Sequence, residues 1–184
     1  MARVCVLLAE GFEELEAITI IDILRRAEIE VVTLSIQGRD LRVKGSHGIT
    51  VEADKALGDT TAEAWDMVVL PGGLPGATNL RDAAEVQQLL KKQNQAGKRI
   101  GAICAAPIAL GAAGILEGKK ATSYPGFEDE LRGATCVADR VVRDGNVVTS
   151  RGPGTAIEFA LEIASDLTSH EVARDLRKGM LVEA

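Results

Sequence analysis

Short runs of apolar residues alternate with longer stretches in which apolar positions recur every three or four residues. A continuous apolar run is typical of a strand covered on both faces of a sheet, and the longer spacing indicates an amphipathic helix. The pattern predicts four core strands, over residues 4–9, 29–36, 67–70 and 99–103. It also predicts helices over residues 13–27, 82–96, 105–113, 155–167 and 169–178.

The rest of the chain has the pattern of short strands and turns. Residues 41–51 look like a hairpin excursion, residues 134–138 like a short strand, and residues 141–143 and 147–149 flank a turn signal centred on Gly145. Thr155 and Glu158 have the spacing of a capping box, which predicts a helix start there. Alternating strands and helices predict an α/β fold: a mostly parallel sheet with helices on both faces, which binds ligands beyond the carboxyl ends of its strands.

Composition narrows the class of protein. The 184 residues fit one domain spanning residues 1–184, and 46% of them are hydrophobic but only 3% aromatic, so the core must consist of Val, Ile, Leu and Ala. The net charge is −6, and the Lys and Arg residues are spread along the chain rather than clustered, which argues against nucleic acid as a partner. No apolar run is long enough to span a bilayer, and the start of the chain has no signal-peptide pattern. We therefore expect a soluble, cytoplasmic protein without a membrane partner.

The three cysteines, Cys5, Cys104 and Cys136, are widely spaced and include no CxxC pair. That spacing fits neither a disulfide framework nor a zinc site, so no metal centre is expected. Cys5 and Cys136 lie in apolar or strand-like stretches and are predicted to be buried structural thiols.

Cys104 lies where a predicted core strand meets a predicted helix. A nucleophile elbow requires small residues two before and two after the nucleophile, and Ala102 and Ala106 meet that requirement. Pro107 suits the first turn of the following helix, whose positive end would lower the pKa of the Cys104 thiol. Small residues that merely let the helix pack closely on the sheet are an equal alternative.

Two other strand ends carry candidate chemistry. Glu13, Glu14 and Glu16 follow the first strand; three acids at a helix start are ordinarily surface residues, but the apolar neighbours of Glu16 suggest that it is partly buried. Burial near a thiolate would raise the pKa of Glu16 and let the protonated carboxyl donate a hydrogen bond to sulfur, the two titrating as a pair. Gly72 and Gly73 follow the third strand and free the backbone to point an N–H into a pocket. With the amide of Ala105, that donor could form an oxyanion hole beside Cys104.

These motifs together resemble the ThiJ/PfpI superfamily, and within it the Parkinsonism-associated deglycase branch, the DJ-one proteins. The resemblance runs in register through GFEELE at 11–16, VLPGG at 69–73, AICAAP at 102–107 and TSRGPGT at 149–155. It implies a flavodoxin-like three-layer sandwich, a homodimer, and no metal or organic cofactor. It also implies that Cys104 is the oxidisable nucleophile, that Glu16 is its protonated partner, and that Gly73 and Ala105 donate their backbone N–H groups.

The sequence departs from the pattern at two positions. Tyr124 precedes Pro125 where several members have histidine. A tyrosine can donate a hydrogen bond, so Tyr124 is a candidate accessory residue, but it is a poor base at neutral pH, which disfavours a Cys-His protease or amidotransferase. His47 stands where related proteins can have an arginine that approaches the partner subunit's site. His47 is therefore either an accessory residue across a dimer interface or a solvent-facing turn histidine, and His170 is expected at the surface.

Two functions follow as hypotheses. The first is a cofactor-independent enzyme of the glyoxalase or deglycase type, in which Cys104 attacks a small aldehyde such as methylglyoxal, or a glycated substrate, and Glu16 shuttles protons. The second is an oxidation-sensing protein or stress chaperone in which Cys104 forms a sulfinate without metabolic turnover. Both use the same pocket chemistry, and the family resemblance favours the enzyme, with oxidation sensing as the alternative.

Overall fold

The regular elements follow one another with short connections in the computed structural model, which describes residues 1–182. The strands are β1 (Arg3–Leu8), β2 (Glu30–Ser35), β3 (Arg42–Lys44), β4 (Thr50–Glu52), β5 (Lys55–Ala56), β6 (Met67–Leu70), β7 (Arg99–Ile103), β8 (Lys120–Ala121), β9 (Thr135–Cys136), β10 (Val141–Asp144) and β11 (Val147–Ser150). The helices are α1 (Glu14–Arg26), α2 (Gly76–Asp82), α3 (Ala84–Gln95), α4 (Pro107–Ala112), α5 (Ala156–Leu167) and α6 (His170–Gly179).

Seven strands form the central sheet, in the order β10-β11-β7-β6-β1-β2-β5. Every neighbouring pair is parallel except β10 and β11, which form an antiparallel hairpin at the edge. The predicted mostly parallel sheet is therefore confirmed. Because the chain winds outward from β1 in both directions, through β2 on one side and β6 on the other, the sheet has a switch point at the carboxyl ends of β1 and β6.

The sheet separates two apolar layers, as the continuous apolar runs predict. Val4, Val6 and Leu8 of β1 pack in one cluster with α1 and α5, whereas Cys5 and Leu7 face the other way and pack with α2, α3 and α4. Alternate residues of one strand thus supply both cores, which gives the flavodoxin-like three-layer sandwich. No helix within residues 1–182 has the length and apolar character needed to cross a membrane.

The local predictions are confirmed in part. The helix expected over residues 82–96 is α3, which begins at Ala84 because the backbone is extended at Ala83, with ψ of 116°. The preceding helix α2, which ends at Asp82, was not predicted. The hydroxyl of Thr155 does not cap α5; it accepts a hydrogen bond from the backbone N–H of Gly152, while Glu158 pairs with Arg140.

The prediction of a buried Cys136 is also wrong, whereas Cys5 is buried as expected. Cys136 lies in β9, a strand of two residues that pairs with β8 in a separate two-stranded sheet. Neither residue of β9 is covered by another layer, so the side chain of Cys136 is exposed.

Candidate functional site

Cys104 lies on a sharp turn directly after β7. Its backbone has φ of +62°, in the left-handed region that residues other than glycine adopt mainly at turns and functional sites. The backbone N–H of Cys104 donates to Ser150 O at 2.9 Å, and that of Ala106 closes the turn on Ile103 O at 3.0 Å. α4 then begins at Pro107. The predicted elbow is therefore present, and its geometry favours a presented side chain over simple close packing.

The loop after β6 brings two glycines against the elbow. A Cβ atom on Gly72 would lie 2.6 Å from Cys104 Cβ and 2.8 Å from Glu16 Oε2, so only glycine fits between these two side chains. Gly73 has φ of +89°, and a Cβ there would lie 2.7 Å from the carbonyl carbon of Phe12. The close approach of this loop is what lets its backbone amides reach the site.

Glu16 projects from the first turn of α1 into the space between the ends of β1, β6 and β7. It is fully buried, with 0% of its surface exposed. Glu16 Oε2 accepts a hydrogen bond of 2.7 Å from the backbone N–H of Gly72, while Oε1 is buried without a hydrogen-bond partner of standard geometry. The carboxyl interacts with the Cys104 thiol, because each group shifts the pKa of the other.

The electrostatics of this pair centre on one shared negative charge. Burial raises the pKa of Glu16 to about 7, against the opposing effects of the Gly72 amide and Cys104. Burial raises the pKa of Cys104 to about 12 as well, and the charge of Glu16 and its hydrogen bond add to that increase. Since two adjacent buried anions repel strongly, the pair loses its first proton near neutrality and its second only at high pH.

The expectation that the elbow by itself lowers the pKa of Cys104 is therefore wrong. The backbone N–H groups of Gly73 and Ala105 hydrogen-bond the sulfur and do lower its pKa, but burial and the charge of Glu16 outweigh them. A thiolate at Cys104 consequently requires a protonated Glu16, which is the state that the sequence predicts for this carboxyl.

Tyr124 lies beside the elbow through its backbone. Its N–H donates to Cys104 O at 2.8 Å, and its half-exposed ring lies against Gly152, where a Cβ would be 3.2 Å from the ring. The hydrogen bonds described for residues 1–182 include none from the Tyr124 hydroxyl to Cys104 or Glu16. Tyr124 therefore supports the backbone of the nucleophile, and a chemical role for its hydroxyl stays a prediction.

His47 lies against the start of α1 in its own chain. Its imidazole Nδ1 is 3.0 Å from Glu14 Oε2 and 3.5 Å from Glu13 Oε2, and the side chain is 69% exposed. His170 is exposed as expected. His47 is thus tied to two neighbouring carboxylates, while its predicted approach to a partner's site stays a prediction.

The sequence reasoning missed Glu14, which it took for a surface residue. Only 5% of Glu14 is exposed, and its Oε1 accepts hydrogen bonds from the backbone N–H groups of His47 and Ile49. Burial alone would raise the pKa of Glu14, but these bonds and the one from the His47 ring lower it to about 2. Glycines at 45 and 48 are the signal that could have indicated a tight turn able to surround a carboxylate.

Comparison with known proteins places this geometry in a family. Residues 2–166 match the model of the DJ-1/PfpI family. The chain is 44% identical to Protein dj-1beta of Drosophila melanogaster over 179 residues, covering 96% of this chain and 95% of that protein. It is 43% identical to Protein DJ-1 homolog A of Arabidopsis thaliana, covering 95% of this chain but only 45% of that relative, so it spans less than half of that protein's length.

A third relative and two solved structures add to the comparison. Glutathione-independent glyoxalase DJR-1.2 of Caenorhabditis elegans is 36% identical over 92% of this chain and 90% of its own length. The crystal structure of Drosophila melanogaster DJ-1beta superposes with a TM-score of 0.95 at 42% identity, covering 100% and 99% of the two chains. Toxoplasma gondii DJ-1, in an oxidized form, gives 0.94 at 39% identity, with all of both chains covered.

Proposed function

Because the chain belongs to the DJ-1/PfpI family, we propose that it is a cysteine-dependent stress-response enzyme that converts reactive dicarbonyls without a cofactor. The observation that carries this proposal is the buried carboxyl of Glu16, held by the Gly72 amide and interacting with the Cys104 thiol. A relative named as a glutathione-independent glyoxalase supports the same class of reaction. Methylglyoxal is the proposed substrate, glycated groups are further ones, and the cytoplasm is the expected location.

The first step is addition of the thiolate to the aldehyde. A bond forms between Cys104 Sγ and the aldehyde carbon, and the carbonyl electrons move to the oxygen. The N–H groups of Gly73 and Ala105 already point at the sulfur, so an oxygen on the carbon bonded to it falls within their reach. The protonated carboxyl of Glu16 then transfers its proton to that oxygen, which yields a hemithioacetal and leaves a carboxylate.

The second step moves a proton between neighbouring carbons. The Glu16 carboxylate removes the hydrogen of the former aldehyde carbon as a proton, and the electrons pass to the adjacent ketone oxygen to form an enediolate. Glu16 returns that proton to the neighbouring carbon while the hydroxyl proton moves to the former ketone oxygen, which leaves a thioester. Water then hydrolyses the thioester to lactate and the free thiol. One carbon is oxidised as its neighbour is reduced, so methylglyoxal and water give lactate with no external oxidant.

Conversion of methylglyoxal to lactate by the purified protein tests this proposal. We expect Cys104→Ala to abolish turnover, and Glu16→Ala to lower kcat/KM by about 10²–10⁴-fold, the usual contribution of a general acid–base. The matched control is Cys136→Ser, which removes an exposed thiol outside the site and should keep the wild-type rate. Equal rates for the wild type and Cys104→Ala, measured as lactate by proton NMR, would refute the enzyme.

Oxidation sensing is a second candidate, favoured by the partial exposure of Cys104 beside a protonatable carboxyl. Peroxide attacks thiolates, and successive oxidation gives the sulfenate and then the sulfinate, whose oxygens the protonated Glu16 and the two amides could bind. A DJ-1 relative has been solved in an oxidized form, which supports this candidate.

We also propose a homodimer. Leu15 and Ile18, one turn apart on α1, and Ile49 beside Glu14 are large apolar side chains that are about half exposed. Together they offer an apolar surface next to the site. Light scattering on the sample used for kinetics should therefore give twice the 19.4 kDa chain mass.

A further inference from the structure

A second cluster of functional side chains lies outside the thiol–carboxyl pair, where the turn at residues 45–48 meets the start of α1. It consists of Glu13, Glu14, His47 and Ser46. Ligand atoms of the first three all lie within 4.8 Å of one another. The reaction proposed for Cys104 uses none of these side chains, so their arrangement needs a separate explanation.

Five of the six distances among the four polar atoms of this cluster lie between 3.0 and 3.5 Å. His47 Nδ1 is 3.0 Å from Glu14 Oε2 and 3.5 Å from Glu13 Oε2. Ser46 Oγ is 3.1 Å from His47 Nδ1, 3.2 Å from Glu14 Oε2 and 3.5 Å from Glu13 Oε2. A tetrahedral zinc ion with bonds of about 2.0–2.1 Å separates its ligand atoms by about 3.3–3.4 Å. The five distances within the cluster therefore bracket the spacing that zinc requires.

Glu14 is held so that one oxygen remains available to the cluster. Its Oε1 accepts from the backbone N–H groups of His47 at 2.8 Å and Ile49 at 3.2 Å, which leaves Oε2 facing the imidazole. Ligating carboxylates are commonly oriented by hydrogen bonds of this kind.

The charge of the cluster favours a cation. The ion pairs described for Glu13 and Glu14 within residues 1–182 are with His47, and an imidazole is positive only when it is protonated. Two carboxylates therefore share at most one removable positive charge. Imidazole nitrogen and carboxylate oxygen are both usual zinc ligands.

We propose that Glu13, Glu14 and His47 bind a zinc ion through Glu13 Oε2, Glu14 Oε2 and His47 Nδ1, with a water taking the fourth position where Ser46 Oγ now lies. The ion replaces the proton that Nδ1 shares with Glu14 and fastens the turn at 45–48 to α1. This site is separate from Cys104, and the zinc proposal does not rest on the reaction proposed there.

Titration of the untagged protein with Zn²⁺ by calorimetry tests the proposal. The experiment uses a Cys104→Ser/Cys136→Ser background, because thiols bind zinc and Cys5 is already buried. We expect one ion per chain and a higher Tm in its presence. Glu13→Gln and His47→Gln, whose side chains lie at the rim of the cluster, should each weaken binding by at least about tenfold. The matched control His170→Gln, which replaces an exposed histidine at the start of α6, should change the affinity by less than about threefold.

Cobalt substitution identifies the ligands. Co²⁺ bound to the thiol-containing wild type should give the visible bands of a tetrahedral site without sulfur-to-metal charge transfer, and His47→Gln should lose those bands. Absence of saturable Zn²⁺ binding in the thiol-free background would overturn the proposal. So would equal affinity in His47→Gln and its parent, or a charge-transfer band showing that the metal binds Cys104 instead.

Discussion

Replacing Glu16 with glutamine tests whether this carboxyl shares its proton with Cys104. Glutamine keeps the length of the side chain and an oxygen that can accept the 2.7 Å hydrogen bond from Gly72. It removes the negative charge, and it offers the sulfur an N–H donor that never ionises. The substitution therefore removes one titratable proton from the site while leaving the packing of the side chain nearly unchanged.

The size of the effect follows from the two pKa values of the wild-type pair. Burial raises the pKa of Glu16 to about 7 and that of Cys104 to about 12, so between these values the pair carries one charge, and the fraction with a thiolate beside a protonated Glu16 is constant. This form is the one that the shared proton makes reactive. In Glu16→Gln the charge that opposed the thiolate is gone, but burial still holds the pKa of Cys104 above its ordinary 9.0. From pH 7 to pH 9 the variant's thiolate should rise about 100-fold, and this form of the wild type's thiolate less than about twofold.

The assay is the second-order rate of alkylation of Cys104 by iodoacetamide, followed by intact mass from about pH 5 to about pH 9. Both proteins carry Cys136→Ser, so that the exposed thiol does not contribute, and Cys5 is fully buried. The wild type should rise about tenfold per pH unit below pH 7 and then level off, whereas the variant should rise through pH 7 without a break. A wild-type rate that climbs between pH 7 and pH 9 as the variant does would refute the shared proton. A break near pH 7 in both proteins would assign the titration to another group.

Two further predictions concern the same site. Gly72→Ala should lower methylglyoxal turnover by about 10²-fold, because its Cβ would lie 2.6 Å from Cys104 Cβ and displace the nucleophile. The matched control is Gly154→Ala, where no atom would lie within 4 Å of the added Cβ. Wild-type activity in Gly72→Ala would contradict this geometry. Limited hydrogen peroxide should add two oxygens at Cys104, located by peptide mass spectrometry. Fewer should be added in Glu16→Ala, since the sulfinate then lacks the hydrogen bond from the Glu16 carboxyl. Oxygen found mainly on the exposed Cys136 would count against oxidation sensing.

The core of the sheet could be predicted because each of its strands has a recognisable pattern in its own short stretch of sequence. Each core strand is a continuous apolar run, and the small residues around Cys104 indicate a turn whose positive φ the structure confirms. Glu16 was identified for a partly wrong reason. Its flanking residues Leu15 and Ile18 are about half exposed, whereas Glu16 itself is fully buried because it points toward the ends of β1 and β6.

What the sequence could not supply are contacts between distant segments. Glu14 is buried by residues 46–49, more than thirty positions further along the chain, and no pattern near Glu14 in the sequence predicts that contact. The pKa of Cys104 was misjudged for the same reason, since the helix start is local but the opposing charge of Glu16 comes from another element. Helix α2 was missed as well; it packs against α4, and the extended residue Ala83 separates it from α3.

The three acids that open α1 have three different roles, and helical geometry explains why. Successive residues of a helix are about 100° apart, so Glu14 and Glu16 point to different sides of α1, one toward the turn at 45–48 and the other toward Cys104. Glu13 precedes the helix, and its carboxylate accepts from the backbone N–H of Leu15 as an N-cap. Its charge also raises the pKa of Glu16. Three acids that would be redundant on a surface thus provide a helix cap, an ionised group that holds the turn at 45–48, and a partner for the thiol whose pKa burial raises to about 7.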